Sequence, residues 1–257
     1  MIVLPEMFNC PYSKELFPLY AESYPEGITF ATLAEVARTQ RVWLVGGSVP
    51  EREGDRIYNS AFVFNPEGEL VVRHRKVHLF DVELPDMIFK ESATLVAGND
   101  ITLFSTPVGE IGVLICYDLR FPEMFRLLVE RGAVAVVIPA AFNMVTGPAH
   151  WEVLLRARAV DNQVYVLAVS PARDPAASYV AYGHSMAVDP WGEVVARAGA
   201  GEEIVYVRLE REKIKEIRQR LPLLKHRRLD LYQVVKADWN YSSSFSFSFS
   251  LIPTGST

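Results

Sequence analysis

The sequence predicts an α/β protein with buried sheets and with helices on their outer sides. Short runs rich in β-branched residues are apolar at consecutive positions, as in strands that are buried on both faces. Between these runs lie segments whose apolar residues recur at helical spacing. Half of the 257 residues are hydrophobic, which provides enough apolar material for a full core and excludes disorder for most of the chain. This alternation of buried strands and helices is typical of the α/β class.

The elements can be assigned in chain order. Predicted strands lie at residues 42–49, 60–64, 112–116, 133–139 and 164–169. Predicted helices lie at residues 28–41, 121–132 and 150–163, and Gly132 is expected to end the second of them. Hairpin turns are expected at residues 64–70 and 188–194, where Asn-Pro or Asp-Pro and a glycine separate two extended runs.

One domain is predicted over residues 1–235, because no linker rich in Pro, Gly or Ser interrupts the apolar pattern before about residue 238. Residues 2–4 are typical of the end of a strand, and no preceding element is present to pair with them. Residues 241–257 alternate Ser and Phe in a low-complexity pattern. The segment 236–257 is therefore expected to be a disordered or non-native tail.

Charge and cysteine content exclude several classes of function. The 26 Lys and Arg residues against 31 Asp and Glu residues give a net charge of −5, so we expect no nucleic-acid partner and no anionic membrane partner. The longest apolar run, at 133–142, is far shorter than the roughly 20 residues that cross a bilayer. Pro5 and Glu6 interrupt the apolar start, so no secretory signal is expected. Two cysteines cannot form a disulfide framework, which favours a cytoplasmic, reducing compartment.

Cys116 is a candidate nucleophile. It ends a predicted strand, and a helical pattern follows it within a few residues. A sulfur at such a turn lies near backbone N–H groups that stabilise a thiolate and can bind a developing oxyanion. The alternative is a core position, because free cysteines are among the most buried residue types. Cys10 lies in a loop-like segment without an evident base and is expected to be structural.

Two charged residues are candidates for acid–base chemistry. Glu6 follows a strand-like run in an apolar neighbourhood, where burial would raise the pKa of its carboxyl and suit it to act as a general base. A surface charge at a strand end is the alternative. Lys76 lies in a cluster of basic residues and histidines at 72–80, and such clusters are usually solvated faces. His74 and His78 flank Lys76 and, on an extended chain, point the same way.

The sequence predicts neither a metal nor an organic cofactor. His74 and His78 have no further zinc ligands nearby, and no glycine-rich phosphate loop or dinucleotide-binding fingerprint occurs. A papain-like pairing of Cys116 with His150 or His184 is not supported by the residues around the cysteine. These residues alone indicate an α/β protein with one well-placed cysteine and leave its reaction open.

Three separated motifs resemble, in their order, the signature of the nitrilase or carbon–nitrogen hydrolase superfamily: LPEMF at 4–8, HRKVHLF at 74–80 and GVLICYDLRFPE at 112–123. The resemblance implies a Glu–Lys–Cys triad and a further glutamate, which fall on Glu6, Lys76, Cys116 and Glu91. It continues through residues 142–174 and 182–194. In detail these stretches are most similar to the omega-amidase branch.

The fold implied by the resemblance is an α-β-β-α sandwich, in which two mixed sheets lie face to face and helices cover both outer surfaces. Family members carry one more strand and helix before the LPE motif, so the chain is expected to lack the first strand and helix of the fold. Members associate through helix faces, and a C-terminal arm often reaches the partner. We therefore expect a homodimer, with residues 211–232 as the terminal helix and arm.

The implied activity is hydrolysis of the terminal carboxamide of a small dicarboxylic acid monoamide, such as 2-oxoglutaramate or succinamate. Glu6 would remove the thiol proton of Cys116, which would form a thioester with the substrate. Lys76 and the backbone N–H of Tyr117 would hold the oxyanion. Glu91 would orient Lys76 or help to position the substrate.

The substrate pocket is expected to contain Tyr117 and the residues just after the strand that follows Cys116, namely Phe142, Asn143 and Thr146. A substrate carboxylate also needs a cationic or N–H-rich partner. Candidates for this partner are Arg120, Arg156, Arg158 and Arg173, each of which could equally make a solvated surface contact.

Two alternatives remain at this stage. The first is a sister activity within the same family, an amidase of deaminated glutathione or another carbon–nitrogen hydrolase. Residues 171–174 and 159–166 favour the omega-amidase branch over it. The second is an inactive fragment that acts at most as a dimerising module, which the absent N-terminal strand favours and the complete triad disfavours.

Overall fold

The structure, a computed structural model, describes residues 1–84 and 87–237. Nearly all of the predicted tail at 236–257 lies outside these residues. The strands are β1 (Ile2–Val3), β2 (Leu44–Val45), β3 (Val49–Glu53), β4 (Arg56–Phe64), β5 (Leu70–Arg75), β6 (Asp81–Leu84), β7 (Met87–Lys90), β8 (Thr102–Thr106), β9 (Gly109–Val113), β10 (Ala133–Pro139), β11 (Tyr165–Val169), β12 (Met186–Val188) and β13 (Val194–Arg197).

The α-helices are α1 (Phe17–Tyr20), α2 (Ile28–Gln40), α3 (Pro122–Glu130), α4 (Thr146–Asn162) and α5 (Arg211–Arg220). Two short 3-10 turns lie at Glu91–Ala93 and Cys116–Arg120. Within the described ranges, no helix combines the length and the apolar character that a membrane span requires. The helix predicted at 121–132 is confirmed as α3, and Gly132 follows its end with a φ of +98°.

The first sheet is built around the long strand β4. One edge of β4 pairs antiparallel with β2 and β3, the other edge pairs with β5, and β1 adds in parallel to β2. The single strand predicted at 42–49 is broken by Gly46 and Gly47. Gly47 has a φ of +61°, and a Cβ atom on it would lie 2.2 Å from the carbonyl oxygen of Pro5. This break makes room for the segment that carries Glu6.

The second sheet has the strand order β13-β12-β11-β10-β9-β8, and a separate hairpin is formed by β6 and β7. β9, β10 and β11 are parallel to one another. The carboxyl ends of these three strands therefore lie side by side. There the chain continues from β9 into Cys116 and from β10 into Phe142. The strand predicted at 112–116 ends earlier, at Val113, so that Cys116 is free to begin a turn.

Side chains along β4 alternate between two hydrophobic clusters. Phe62 and Phe64 pack with Phe30 and Leu33 of α2, so that this helix covers one face of the first sheet. Val63 belongs to the larger cluster, which fills the space between the two sheets and extends beneath the helices on the second sheet.

The helices α3 and α4 cover the outer face of the second sheet. Gly112 in β9 lies directly beneath Leu128 of α3, whereas its neighbours Ile111 and Val113 point the other way, into the core between the sheets. Leu155 of α4 joins the same cluster. The four layers are thus helix, sheet, sheet and helix, and the predicted α-β-β-α sandwich is confirmed.

Candidate active site

Glu6 lies in a turn after β1 that a glycine and a serine hold in place. Gly47 leaves room for the carbonyl of Pro5, and the N–H of Ser48 donates to that carbonyl at 3.1 Å. The Ser48 hydroxyl accepts the N–H of Met7 at 3.1 Å, and Met7 has a φ of +49°. This tight turn directs the side chain of Glu6 inward, where the residue is only 1% exposed.

Lys76 lies between two glutamates in the protein interior. Its Nζ is 3.0 Å from Oε1 of Glu6 and 2.9 Å from Oε1 of Glu91, and all three side chains are fully buried. The other oxygen of Glu91 accepts the N–H of Phe80 at 2.7 Å. Burial favours the neutral amine, but the two carboxylates raise the pKa of Lys76 well above its ordinary value. The side chain is therefore an ammonium group held in a fixed position.

One oxygen of Glu6 remains available for chemistry. Oε1 accepts the amide of Asn59 at 2.8 Å in addition to Lys76, and the hydroxyl of Tyr12 lies 3.3 Å away. Oε2 is buried and lacks a hydrogen-bond partner among the described residues, while the carboxyl interacts with the thiol of Cys116. Burial raises the pKa of Glu6, although Lys76 opposes this effect. A carboxylate in this state takes up a proton more readily than an exposed one.

Cys116 begins the 3-10 turn that follows β9. Its φ of +45° lies in the left-handed region, where a residue other than glycine carries a strain of order 1–3 kcal/mol. Burial, followed by the charge of Glu6, raises the pKa of the thiol well above its ordinary value, and the charge of Lys76 and then the N–H of Ala141 oppose this rise. The thiol therefore needs a base beside it in order to lose its proton, and Glu6 lies there.

Asp118 connects the cysteine turn to the segment that carries the buried lysine. Its Oδ2 accepts the N–H of Ile115 at 3.1 Å and lies 3.4 Å from Nε2 of His74. Its Oδ1 accepts the N–H of His78 at 2.9 Å and lies 2.8 Å from Nδ1 of the same residue. Burial favours the neutral acid, but hydrogen bonds from both histidines hold the pKa of Asp118 well below its usual range. This carboxylate fixes the two segments relative to each other.

A small pocket opens onto the cysteine. Its lining residues are Phe80, Cys116, Tyr117, Arg120, Ala141, Phe142, Thr146 and Tyr179. The pocket encloses at most about 200 Å³ of empty space, part of it open to solvent, so only a small molecule could enter it. The guanidinium carbon of Arg120 lies 5.0 Å from the ring centroid of Phe142 and 5.6 Å from that of Tyr117. A mostly aromatic wall and one cation therefore face the sulfur.

A family model described as carbon-nitrogen hydrolase matches residues 1–219 of the chain. The chain belongs to the carbon–nitrogen hydrolase family. It is 52% identical to the omega-amidase NIT2 of Mus musculus over 235 residues, which are 91% of this chain and 85% of the relative. The expected family is thus confirmed, and the chain is a hydrolase that acts on amide carbon–nitrogen bonds.

Solved structures of similar proteins agree with this assignment. Nit3 of Saccharomyces cerevisiae, described as a member of branch 10 of the nitrilase superfamily, is 48% identical with a TM-score of 0.81, and the match covers 88% of this chain and 82% of that chain. A variant of the amidase from Nesterenkonia sp. AN1 is 26% identical with a TM-score of 0.73, over 89% of this chain and 81% of that chain. That variant carries the acetamide moiety of fluoroacetamide, added covalently at its active-site cysteine.

In this carbon–nitrogen hydrolase, the predicted pocket residues fall into two groups. Tyr117, Phe142 and Thr146 line the pocket. Asn143 is buried next to it, and its Oδ1 accepts the N–H groups of Val145 and Thr146 at 3.0 and 2.8 Å at the beginning of α4. Asn143 therefore shapes the loop that ends in the pocket and is not among the lining residues of the described chain.

Of the four candidate arginines, Arg120 lies at the pocket. Arg158 donates to the carbonyls of Leu119 and Arg120 at 3.0 and 2.8 Å, so it supports the cysteine turn from behind. Arg156 donates to the carbonyl of Gly192, and Arg173 donates to that of Tyr182. Tertiary contacts thus separate four residues of one type into different roles.

The two histidines weighed as partners for the cysteine have other contacts. Nδ1 of His150 lies 3.2 Å from the guanidinium of Arg120, and Nε2 of His184 lies 3.4 Å from that of Arg173. In the part of the chain that the structure describes, no group of three or more His, Cys, Asp and Glu side chains is placed to hold a metal ion.

Several residues at the site were not predicted. Tyr12, Asn59 and Asp118 bind the charged groups, and Phe80 and Tyr179 line the pocket. Asp118 follows Cys116 by two residues, and this short spacing was the available signal. Phe80 is the last residue of the motif at 74–80, and that motif was its signal. Tyr12, Asn59 and Tyr179 lie on segments whose local patterns are those of ordinary loops and strands, so no signal in the sequence distinguishes them.

Proposed function

We propose that this chain is an omega-amidase-like enzyme that releases ammonia from the terminal carboxamide of small dicarboxylic acid monoamides, such as 2-oxoglutaramate or succinamate. The proposal depends above all on the buried group of Glu6, Lys76 and Cys116 beneath a small pocket that contains one arginine. The identity of 52% to a relative named as an omega-amidase supports it.

In the acylation step, Glu6 accepts the thiol proton of Cys116 on its unpartnered oxygen, and the sulfur attacks the amide carbon. The carbonyl oxygen becomes an oxyanion, which the ammonium of Lys76 and the N–H of Tyr117 stabilise. A donor of this kind contributes about 3–4 kcal/mol in comparable sites. Glu6 then returns the proton to the nitrogen, and ammonia leaves with both electrons of the broken carbon–nitrogen bond. A thioester between Cys116 and the acyl group remains.

In the deacylation step, a water molecule attacks the thioester carbon while Glu6 accepts one of its protons. The same two donors hold the second oxyanion. Collapse of this intermediate breaks the carbon–sulfur bond, the carboxylic acid product leaves, and the proton on Glu6 restores the thiol of Cys116. No step consumes an oxidant or a reductant.

The carboxylate at the far end of the substrate would bind to Arg120. This guanidinium faces the pocket between two aromatic rings, and a partly desolvated arginine binds a carboxylate more strongly than an exposed one does. Its position sets the length of the substrate, because the scissile amide must lie at Cys116 while the carboxylate reaches Arg120.

The first test is ammonia release from succinamate by the chain and by the variants Cys116→Ala and Cys10→Ala. Turnover should vanish in Cys116→Ala and persist in Cys10→Ala, because burial and Glu6 raise the pKa of the Cys10 thiol to about 12 and the structure gives it no role at the pocket. Mass spectrometry of a quenched reaction should find the succinyl group on Cys116. Turnover by Cys116→Ala would contradict the mechanism, whereas release only from other amides would favour the sister branch that acts on deaminated glutathione.

A second test concerns the substrate carboxylate. Arg120→Leu should raise the KM for succinamate by about 10- to 150-fold, the range for a lost charge-assisted hydrogen bond, and should change kcat/KM for the uncharged butyramide by less than about threefold. Arg156→Leu is the matched control, because Arg156 binds the Gly192 carbonyl instead. Equal losses on both substrates would argue against Arg120 as the carboxylate partner.

We further propose that the enzyme is a cytoplasmic homodimer. Four apolar side chains are exposed on α4, on the turn before β13 and on β13 itself, at Val153, Val160, Trp191 and Val195. Gly192 of this turn lies against Val160, so the turn and α4 are neighbours, and we take their exposed apolar side chains as the dimer surface. Light scattering after size exclusion should give twice the chain mass of 28.9 kDa, and Trp191→Glu should shift it toward one chain mass.

A further inference from the structure

Tyr12 brings a hydroxyl group into the centre of the charged site. Its oxygen is 2.6 Å from Oε1 of Glu91, 3.3 Å from Oε1 of Glu6 and 3.4 Å from Nζ of Lys76. A phenol has one proton to donate, and the shortest of these contacts is the one to Glu91. The hydroxyl therefore binds Glu91 and leaves only a long contact to Glu6.

The ring of Tyr12 is held from several sides. It stacks on Tyr179 with ring centroids 4.5 Å apart, and it meets Phe17 edge-on at 5.5 Å. Phe89 lies 5.7 Å away on a further side. Because these rings restrict rotation, the hydroxyl has little freedom to move from one carboxylate to the other.

The donors around the two glutamates are unequally distributed. Glu91 accepts Lys76, Tyr12 and the N–H of Phe80, which together occupy both of its oxygens. Glu6 accepts Lys76 and an amide on one oxygen, and its other oxygen has no partner among the described residues. Of the two carboxylates that share one ammonium, Glu6 is the one with room for a proton.

We propose that Tyr12 is a positioning residue for the reaction: its hydroxyl anchors Glu91, Glu91 holds Lys76, and Glu6 is thereby left as the carboxylate that accepts the proton of Cys116. The inference rests on the proposed amidase function for its substrate assay, and on the geometry alone for the choice between the two carboxylates. Tyr12 does not touch the substrate in this scheme.

The proposal has a consequence for the pH profile. The ionisable groups that face the Tyr12 hydroxyl are Glu6, Lys76, Glu91, Cys116 and Tyr179. Burial, together with the charges of Glu6 and Glu91, raises the pKa of Tyr12 well above its ordinary value, so the hydroxyl keeps its proton at neutral pH. Removal of this donor disfavours the ionised carboxylates, and the acid limb of activity should therefore move to higher pH.

The test compares Tyr12→Phe with the unmodified enzyme and with Tyr58→Phe. Tyr58 is also buried, but it lies beneath Arg75, away from the pocket. In Tyr12→Phe, kcat for succinamate should fall by about tenfold or more with KM within about threefold, and the acid limb of kcat/KM should move to higher pH. Tyr58→Phe should change neither. A normal kcat, or a lower kcat with an unmoved acid limb, would overturn the proposal.

A second variant covers the case in which Tyr12→Phe does not fold. Site-specific 3-fluorotyrosine at position 12 keeps the ring and the hydroxyl, so the packing against Tyr179 is preserved. Its phenol is more acidic and a stronger donor, and the acid limb should therefore move to lower pH. An unmoved limb in this variant would overturn the proposal.

A substrate-free readout separates this inference from the proposed function. Iodoacetamide alkylates Cys116 only after the thiol loses its proton, and mass spectrometry distinguishes this site from Cys10. If the enzyme releases no ammonia from succinamate, the proposed function fails, but the alkylation rate of Tyr12→Phe should still be lower at pH 7 and its pH profile displaced upward. Identical alkylation profiles in Tyr12→Phe and Tyr58→Phe would overturn the role of Tyr12.

Discussion

Two charged clusters include residues of β5 or the residue directly after it, and they lie on opposite faces of the first sheet. The outer ion cluster consists of Glu51, Glu53, Arg73 and Arg75. The Lys76 cluster consists of Glu6, Lys76 and Glu91. Arg73 and Arg75 alternate with His74 and Lys76 along the chain, so the period of two sends one set outward and the other inward.

The two clusters differ in how completely their charges are matched. In the outer ion cluster, two arginines face two glutamates, and Glu51 accepts Arg73 at 2.5 Å, Arg75 at 2.9 Å and the hydroxyl of Ser60 at 2.6 Å. In the Lys76 cluster, one ammonium faces two fully buried carboxylates. A network with balanced charges is stable when all of its groups are ionised, whereas a buried network with an excess of carboxylates favours the uptake of a proton. Charge balance and burial, not residue type, therefore separate a structural ion network from a reactive one.

The largest expected effect is on Lys76. Lys76→Met should reduce kcat/KM for succinamate by at least about 10²–10³-fold, because the oxyanion loses its ammonium. The buried carboxylates also lose their partner, so the free energy of unfolding should fall by about 3–5 kcal/mol at pH 7. Steady-state kinetics and urea unfolding measure the two changes.

Arg75→Met in the outer ion cluster is the matched control for this variant. It should keep kcat/KM within about threefold and lower the free energy of unfolding by about 1–3 kcal/mol, because Glu51 keeps Arg73 and Ser60 as donors. Similar losses of activity in the two variants would break the distinction between the clusters.

An intermediate effect is expected at Asp118, whose pKa is held below its ordinary value by His74 and His78. Because the native pKa is depressed, the stabilisation is present above the unfolded pKa of about 3.9 and is lost as the pH falls below it toward the native value. Asp118→Asn should therefore lower the free energy of unfolding by about 2–3 kcal/mol at pH 7, and the difference should shrink at pH 3. Urea unfolding at both values measures this.

The exposed Glu53 provides the comparison for Asp118→Asn. Glu53→Gln should change the urea midpoint much less at either pH, because Glu53 is accessible to water and lies at the edge of the outer ion cluster. A difference between wild type and Asp118→Asn that stays constant with pH would mean that the charge of Asp118 is not what stabilises the cysteine turn.

The smallest effect is expected for Arg73→Gln. The side chain of Arg73 is about a third exposed, and Glu51 retains two other donors. Unfolding measurements should show a loss below about 1 kcal/mol that decreases further in 1 M salt. A salt-independent loss of several kcal/mol would show that the outer ion cluster is as tightly coupled as the Lys76 cluster.

Much of the fold was predictable from local patterns. The helices at 28–41 and 121–132 and the strand at 133–139 were predicted from periodicity and correspond to α2, α3 and β10. The strand predicted at 42–49 failed as a single element, because the close approach of Pro5 to Gly47 involves residues more than 40 positions apart. Local periodicity contains no information about such an approach.

Three motifs in order were enough to predict the family from the amino-acid sequence, together with the candidates Glu6, Lys76, Cys116 and Glu91. The surroundings of these four residues depend on the three-dimensional fold. The fold places Arg120 at the pocket and the other three candidate arginines elsewhere, positions Asn143 in the loop before α4, and brings Tyr12 to Glu91, 79 residues away. The physical reason is that hydrogen bonds of about 3 Å depend on strand register and on the packing of turns, which many distant residues set together.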